Sequence, residues 1–470
     1  MPRVNGLACG VGLAALVAGC ALQDTQTKSP ELPGAFAAPV TVPDASWPGS
    51  SWYEAFGSAE LQALIAQAEA ENLELTMARA RVRQADARAR QAGAAILPSV
   101  DIGGNGNYLA GHSSNGSAHE TDWAALLSAS YEVDFWGKNR ATARSAELQA
   151  SASRADRDTV ALTTLAGVAN AYFQVLSLRE RLSIALSNLE TAKKLLEIIQ
   201  ARFDAGLSNP VELAIQKSTM AAAALRIPEL RQQETEALAA LAILLGRVPE
   251  QFSVAALSLD ALAEPKVAPG LPAELLTRRP DIYMAEANMR AANADLTAAR
   301  AALLPNITLT AAGGVQNPAL NAAVISLSGV GPTLNLGASL SQVIFDGGRL
   351  RAARAEAQAK EDELVIAYQA AILAALVDVE NALSALRHLD DARSLQEESL
   401  AQSERALEGA TLRFKAGSGD FLTALEAQRT LYAAREQYSQ YRLARLQTLV
   451  ALCKSLGGGW QAQDAIKESR

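Results

Sequence analysis

The chain has 470 residues and a formal net charge of −8, and 49% of its residues are hydrophobic but only 5% aromatic. Much of the apolar content is alanine, which favours long, closely packed helices, and no basic cluster suggests nucleic-acid binding. Length alone would predict about three domains. However, Arg202–Gly206 returns as Arg413–Gly417 and Gly246 returns as Gly457. The spacing between these repeated segments is far longer than the ~20–50 residues of a solenoid repeat. We therefore predict one duplicated domain.

The N-terminus is predicted to be a signal peptide, residues 1–19, with Arg3 ahead of the apolar run Leu7–Val17. Val17-Ala18-Gly19-Cys20 resembles a bacterial lipobox, which implies acylation of Cys20 and cleavage before it; an ordinary signal peptide with a chance cysteine is the alternative. Residues 20–50 contain five prolines and are predicted to be an extended, lipid-anchored tether. No apolar segment of about 20 residues follows, so no transmembrane helix is expected.

Each copy follows one predicted order: helix, β-hairpin, very long helix, helix. The first repeat, residues 51–250, has helices over Glu60–Ile96, Gly137–Phe203 and Val211–Gly246, and strands over Asp101–Tyr108 and Leu127–Phe135 joined by a loop over Gly111–Thr121. The second repeat, residues 281–458, has strands over Ile307–Ala311 and Thr333–Ser341 joined by a loop over Gln316–Pro332, and a helix over Gly348–Phe414. Residues 251–280 are a proline-rich linker, and residues 459–470 are a C-terminal tail.

The two very long helices contain no proline and would each measure about 100 Å at 1.5 Å per residue, beyond the globular range. Glu60–Ile96 and Val211–Gly246, stacked end to end, match one of them in length. We therefore expect antiparallel rods of equal length that pack into a regular curved wall.

Alternation of apolar and polar residues in Leu127–Phe135 and Thr333–Ser341 indicates strands with one face toward lipid. A soluble sandwich strand alternates in the same way, but the length of the helices favours a membrane-spanning tube. Four strands cannot close a membrane barrel, which starts at about eight, and lipid does not tolerate open strand edges. The strands must therefore be pooled between chains, and two, three or four chains would satisfy this requirement.

Three short motifs, met in the same order, resemble those of a known family. They are Trp52-Tyr53-Glu54-Ala55-Phe56-Gly57, Arg278-Arg279-Pro280-Asp281-Ile282 and Leu456-Gly457-Gly458-Gly459-Trp460. With the duplication, the chain resembles the TolC-type outer membrane factors over nearly all of its mature length, specifically the lipoprotein branch that includes OprM and NodT-like proteins. The resemblance implies an α+β membrane protein. Three chains would form a 12-stranded outer-membrane β-barrel continuous with a long periplasmic α-helical barrel, and the linker and the C-terminal tail would form an equatorial collar.

The resemblance also implies a function. Proteins of this family are porin-like ducts without catalytic activity or cofactors, anchored in the outer membrane of Gram-negative bacteria, in contact with its lipid, and extending into the periplasm. As homotrimers they dock onto a periplasmic adaptor (membrane fusion protein) and an inner-membrane pump, here expected to be of the resistance-nodulation-division type. They conduct drugs, metals or other small molecules outward. A type I protein secretion duct is the alternative within this class. A periplasmic adaptor or a structural coiled-coil lipoprotein would not need the alternating strands.

The resemblance places a gate where the very long helices turn into the next helices. In this family that end of the tunnel is closed at rest. Alignment on the second turn puts Leu422, Thr423 and Glu426 at the gate positions, and Glu212 matches the equivalent position of the first turn. Three Glu426 carboxylates would attract cations and repel anions, and three Leu422 side chains would form an apolar plug. A carboxylate that merely stabilises a helix start is the alternative.

The turns themselves resemble those that receive the helical hairpin of the adaptor. The contact residues implied are Gly206, Leu207, Gly417 and Ser418, although glycine there also suits a helix C-cap. Asp420 is predicted to be an N-cap. Apart from these, His112, His119 and His388 are not spaced as metal ligands, and no phosphate loop, nucleophile elbow or zinc motif is present.

Overall fold

The computed structural model describes residues 33–37, 47–113, 116–316 and 331–462. The signal peptide, Cys20 and most of the predicted tether lie outside these residues. Residues Pro33–Arg470 form one compact unit, to which all of the following elements belong. They are α1 (Ala59–Glu71), α2 (Leu73–Ala94), β1 (Ser99–Ser113), β2 (Gly116–Glu132), α3 (Lys138–Asp204), α4 (Pro210–Leu244), α5 (Pro280–Ala301), β3 (Asn306–Gln316), β4 (Gly331–Ser341), α6 (Arg349–Lys415) and α7 (Phe421–Ser455).

The long helices α3 and α6 have 67 residues each, and α4 and α7 have 35 each. Each predicted long helix agrees with the structure to within one residue at both ends. At 1.5 Å per residue, α3 and α6 are about 100 Å long. An aspartate just before each of these helices binds the backbone at the helix start. Asp134 accepts hydrogen bonds from the backbone N–H groups of Asn139 and Arg140, and Asp346 accepts from those of Gly348 and Leu350.

The predicted single helix over Glu60–Ile96 is wrong in one respect, because it breaks at Asn72. Asn72 has an extended conformation, with φ −60° and ψ 130°, and its side-chain oxygen accepts a hydrogen bond from the Leu75 backbone N–H at 2.9 Å. Its amide group donates to the Leu244 carbonyl oxygen at 2.7 Å. One asparagine therefore begins α2 and also satisfies a carbonyl group at the end of α4.

The four strands form one antiparallel sheet in the order β1-β2-β3-β4. The loop predicted over Gly111–Thr121 is mostly strand, because the pairing of β1 with β2 continues to Ser113 opposite Gly116. Glycine-rich β1 extends as a strand because β2 pairs with its whole length. The second predicted loop, Gln316–Pro332, lies mostly outside the described residues, which resume at 331.

The core of the helical part surrounds α3, which contacts α1, α2, α4, α5 and α7. Its segment Leu165–Leu178 includes the fully buried Tyr172, Phe173 and Leu176. Among the described helices, α3 alone contains a window apolar enough to cross a membrane by length and composition, and half of that window is buried inside the fold. This apolar composition follows from the central position of α3.

The linker after α4 runs across the middle of the helices through short 3₁₀ turns at Pro249–Gln251, Leu259–Ala261 and Pro272–Glu274. Arg179 of α3 donates hydrogen bonds to the carbonyl oxygens of Val254 at 2.6 Å and Ala256 at 2.7 Å. Arg445 of α7 contacts Glu264 at 2.8 Å. These contacts attach the linker to helices of both halves.

Buried Arg279 explains the Arg-Arg-Pro-Asp motif. Its guanidinium group makes two hydrogen bonds to Asp281, at 3.0 and 2.6 Å, and further ones to Asp378 at 3.1 Å and the Ser455 carbonyl oxygen at 3.0 Å. Three helices, α5, α6 and α7, thus converge on one side chain. Beside it, Gly457 has φ +89°, and a β-carbon there would clash with the Arg278 carbonyl group.

Candidate functional site

The sheet has one apolar and one polar face, because the register brings like residues together across all four strands. Ile102 pairs with Leu127, Leu127 with Gly313 and Gly313 with Leu334. The apolar face includes Val100, Ile102, Tyr108, Trp123, Leu127, Tyr131, Ile307, Leu309, Val315, Leu334, Leu336 and Leu340. The polar face includes Asp101, Asn105, Asn107, Ser128, Ser130, Thr308, Thr310, Asn335 and Ser339.

This apolar face is not covered by any part of the chain that the structure describes. Ile102 is 85% exposed and Leu334 is 74% exposed. A contiguous apolar surface of this kind marks a contact with another apolar phase, and alternation of this type is typical of strands between lipid and water. The sheet therefore has the surface chemistry of a membrane-spanning element.

The helix turns at the far ends of α3 and α6 share one geometry. Gly206 and Gly417 have φ of 73° and 75°, and each is followed by a residue whose backbone N–H returns to the last helical turn: Leu207 to the Arg202 carbonyl at 2.8 Å and Ser418 to the Arg413 carbonyl at 3.0 Å. Left-handed glycine with this bond is a common helix ending. Leu207, Gly417 and Ser418 are exposed.

Each turn leads into the next helix through an N-cap. The Asn209 side chain accepts from the Glu212 backbone N–H at 2.9 Å, and the Asp420 carboxylate accepts from the Thr423 backbone N–H at 2.8 Å. The predicted N-cap at Asp420 is confirmed. The backbone N–H and hydroxyl of Thr423 both donate to this carboxylate and lower the pKa of Asp420.

The predicted gate residues fall into two groups. Leu422 and Glu426 are exposed one helical turn apart on α7, and within the described residues the Glu426 carboxylate has no hydrogen bond or ion pair. Thr423 is engaged, because its hydroxyl donates to Asp420 at 2.8 Å. Glu212 lies on α4, where its carboxylate accepts a hydrogen bond from the Ser208 hydroxyl.

A small core joins the two turns, and sequence reasoning did not find it. Its buried members are Leu195, Ile199, Leu213, Phe414, Phe421, Ala424 and Leu425. On its edge, the Arg202 guanidinium group donates to the Phe414 carbonyl oxygen at 3.1 Å and lies 4.8 Å from the centre of the Phe414 ring. The two halves of the chain are therefore joined at the tip, defined here as residues 202–213 and 413–426.

A polar seam between α3 and α7 continues this contact away from the tip. The Tyr432 hydroxyl donates to the Asn188 carbonyl oxygen and accepts from the Gln428 amide at 2.7 Å. Farther along, Glu436 pairs with Arg181 and, at 3.1 Å, with Arg226 of α4. Burial alone would raise the pKa of Glu436, but the two arginines outweigh it and lower that pKa. These partners are about 210–255 residues apart in the chain, so no local sequence pattern could reveal them.

The structure does not describe the predicted lipidation site, because Cys20 lies outside the described residues. In the described part of the chain, no group of three or more metal-ligating side chains could hold a metal ion. Cys453 is buried, and burial raises the pKa of its thiol to about 12.

Comparison with known proteins identifies the family. The profile of the outer membrane efflux protein family matches residues 64–247 and 271–458. The chain belongs to this family. It is 44% identical over 420 residues to the pyoverdine export outer membrane protein OpmQ of Pseudomonas aeruginosa, covering 87% of this chain and 88% of that protein.

Solved structures agree with this assignment. The outer-membrane channel OprN superposes with a TM-score of 0.83 at 28% identity, covering 93% of this chain and all of that one. The open state of the MtrE outer membrane channel of Neisseria gonorrhoeae gives 0.81 at 30% identity, covering 92% and 96%. This member of the outer membrane efflux protein family is therefore an exit duct of an efflux system, located in the outer membrane and extending into the periplasm. The predicted family and its transport function are confirmed.

Proposed function

We propose that this duct exports pyoverdine or a chemically similar polar small molecule, passively and without catalysis. The observation that carries the proposal is the 44% identity to OpmQ along nearly the whole length of both chains. The polar face of the sheet supports it, since hydroxyl and amide side chains such as Ser128, Thr310 and Asn335 would line a water-filled passage.

Export by cells tests this proposal. The chain replaces OpmQ in a Pseudomonas strain, and the ratio of extracellular to periplasmic pyoverdine is measured. Restored export is the expected result, and CusC, which is 28% identical, serves as the comparison duct. Cross-linking to the resident adaptor in the same cells separates docking from conduction. A chain that docks but leaves pyoverdine in the periplasm would refute the proposed substrate.

The working assembly is a homotrimer with a 12-stranded β-barrel continuous with a helical tunnel. Two observations support it: the uncovered apolar face of the sheet, and the edges of β1 and β4, which have no partner strand in the described structure. Four strands fall short of the eight or so that close a membrane barrel, whereas three chains supply twelve. Two family matches per chain and the equal helix lengths support the duplication that gives such a trimer its near-sixfold tube.

Cysteines on the two edge strands can be cross-linked to count the chains in the assembly. Asn105 of β1 and Asn335 of β4 share the polar face, but two strands lie between them, and Asn335 is level with Asp101, four residues along β1 from Asn105. In one chain they are therefore roughly 20 Å apart. A shorter bis-maleimide should therefore link Asn105→Cys to Asn335→Cys only between chains, and the buried Cys453 should not react. Species of two and three linked chains, with none larger, are expected. A ladder that stops at two or continues to four would overturn the trimer.

At the tip, Leu422 and Glu426 form the gate, with Glu212 and Thr423 beside them. Support comes from the exposure of Leu422 and Glu426 on adjacent turns of α7 and from the Glu426 carboxylate, which has no partner among the described residues. The exposed turns carrying Gly206, Leu207, Gly417 and Ser418 receive the periplasmic adaptor, which connects the duct to an inner-membrane pump of the resistance-nodulation-division type.

Cys20 anchors the mature chain through an acyl group. The small residues Ala18 and Gly19 before it support this assignment. Cys20→Ser should abolish incorporation of labelled fatty acid, and persistent labelling would refute the anchor.

A further inference from the structure

Two exposed apolar runs lie where the sheet meets the long helices. Phe135 and Trp136 precede α3, and Val343, Ile344 and Phe345 precede α6. Ile344 and Phe345 are each 90% exposed in the single chain. The second run begins two residues after β4 ends at Ser341, so it lies directly beyond the helical end of the sheet.

Basic residues follow both runs directly. Lys138 and Arg140 are in the first turn of α3, and Arg349 and Arg351 are in the first turn of α6, with Arg354 one turn later. Neither first turn contains an acidic residue. Cations at a helix start are opposed by the macrodipole, by about 0.3–1 kcal/mol each, so helix stability does not account for them.

The α6 cluster also keeps its charge. In the first half, Glu132 and Asp134 neutralise Lys138 and Arg140. Arg349 forms an ion pair with Asp346 at 4.0 Å, whereas Arg351 and Arg354 are exposed with no ion pair in the part of the chain that the structure describes. A local excess of positive charge in a chain of net charge −8 points to an anionic partner.

The order along the chain matches the layers of a bilayer. In the proposed barrel, the apolar face of the sheet contacts the hydrocarbon core of the bilayer. The two exposed apolar runs follow at the depth of the membrane interface, and the arginines follow at the depth of the lipid phosphates. We propose that Arg351 and Arg354, together with the Ile344-Phe345 run, bind the headgroups of anionic glycerophospholipids in the periplasmic leaflet of the outer membrane. Basic clusters beside a membrane-spanning segment attract such lipids by charge.

Lipid retention by the detergent-solubilised full-length protein tests this proposal. The protein is titrated with phosphatidylglycerol or with phosphatidylcholine of the same acyl chains, and bound lipid is counted by native mass spectrometry. The variant is Arg351→Gln/Arg354→Gln, because neither side chain has an ion-pair partner whose loss would disturb the fold. The matched control is Arg387→Gln/Arg405→Gln, two exposed arginines farther along the same helix.

Wild-type protein and the control should retain phosphatidylglycerol over phosphatidylcholine by about fivefold or more, as expected for one or more basic residues at a lipid surface. In Arg351→Gln/Arg354→Gln this preference should fall to about twofold or less. Raising NaCl from ~0.1 to ~1 M should also reduce it, because the Debye length falls from about 10 to 3 Å. Equal retention of the two lipids by the wild type, or an unchanged preference in the double variant, would overturn the proposal.

Discussion

Arg202 of the first half lies across Phe414 of the second, with its guanidinium carbon 4.8 Å from the ring centre and a nitrogen 3.1 Å from the carbonyl oxygen. The sequence repeats the Arg-Phe pair at Arg413-Phe414, yet Arg413 is exposed and has no such contact in the described residues. The duplicated motif is therefore used asymmetrically at the tip.

Arg202→Ala should loosen the tip. The change removes a hydrogen bond from a charged group and a partly exposed cation–π contact, together worth about 2–4 kcal/mol. Faster amide hydrogen exchange is expected over residues 196–215 and 407–426, with higher single-channel conductance in planar bilayers. Arg413→Ala is the matched control and should change neither. Equal effects of the two variants would mean that the Arg202–Phe414 contact does not hold the tip.

Glu426→Gln should lower cation selectivity. A carboxylate without a neutralising partner, repeated around a constriction, concentrates negative potential. Its removal should reduce the cation-to-anion permeability ratio roughly two- to fivefold, as loss of one close charge interaction predicts. Glu212→Gln should change the permeability ratio less, because the Glu212 carboxylate is bound by the Ser208 hydroxyl within its own turn. Reversal potentials in asymmetric salt give the ratio, and no change for Glu426→Gln would remove this residue from the gate.

The start of α7 should weaken in acid because of Asp420. Thr423 lowers the pKa of this carboxylate in the folded protein, below the ~3.9 of an unfolded chain. The ionised group thus stabilises the fold fully above about pH 4, and this contribution is lost as pH falls through the lower, folded pKa.

Asp420→Asn isolates this titration, because asparagine is an equally good N-cap and already serves at Asn209. The protection of residues 421–426 from hydrogen exchange in the wild type, relative to that in Asp420→Asn, should be constant from pH 5 to 8 and should fall below pH 4. Asn209→Asp should introduce the same pH dependence at the start of α4. A relative protection of the wild type that rises on acidification would contradict the assigned pKa direction.

Arg279→Met should destabilise the fold strongly, whereas Arg278→Met should not. Arg279 is buried and joins the partly exposed Asp281 and the exposed Asp378 to the buried Ser455 carbonyl group, so its loss removes these bonds and leaves that carbonyl group unpaired, at a cost of about 2–3 kcal/mol. Arg278 is partly exposed and stacks on Trp47 at 4.4 Å, a contact worth about 1 kcal/mol. Chemical unfolding in detergent compares the two, and similar losses would refute the central role of Arg279.

Sequence reasoning was most successful where the pattern is local. The long helices were predicted to within one residue, because the absence of proline and the flanking glycines mark their ends. It failed at Asn72, where the break in the helix depends partly on a carbonyl group at the end of α4, and at the extension of β1, whose glycines form a strand only because β2 pairs with them. The lengths of both elements depend on distant partners.

The candidate site was harder to predict for the same reason. Exposed Leu422 and Glu426 could be proposed from a motif, and Asp420 from capping preferences. The Tyr432–Asn188 and Arg202–Phe414 contacts join halves separated by more than 200 residues, and the single-sequence pattern contains no trace of them. The role of Asp134 and Asp346 at the helix starts was missed although both belong to repeated landmarks.

The edges of β1 and β4 have a consequence for inheritance. In the proposed trimer, a chain whose sheet needs neighbours on both sides cannot complete its membrane domain alone, so every defective chain that still pairs occupies a place in the shared ring. In a cell that makes equal amounts of intact and tip-defective chains, random mixing into threes leaves only about one ring in eight free of the defect. A tip variant that pairs normally should therefore be dominant over the wild-type copy, whereas a variant with a disrupted β1 or β4 edge should be recessive.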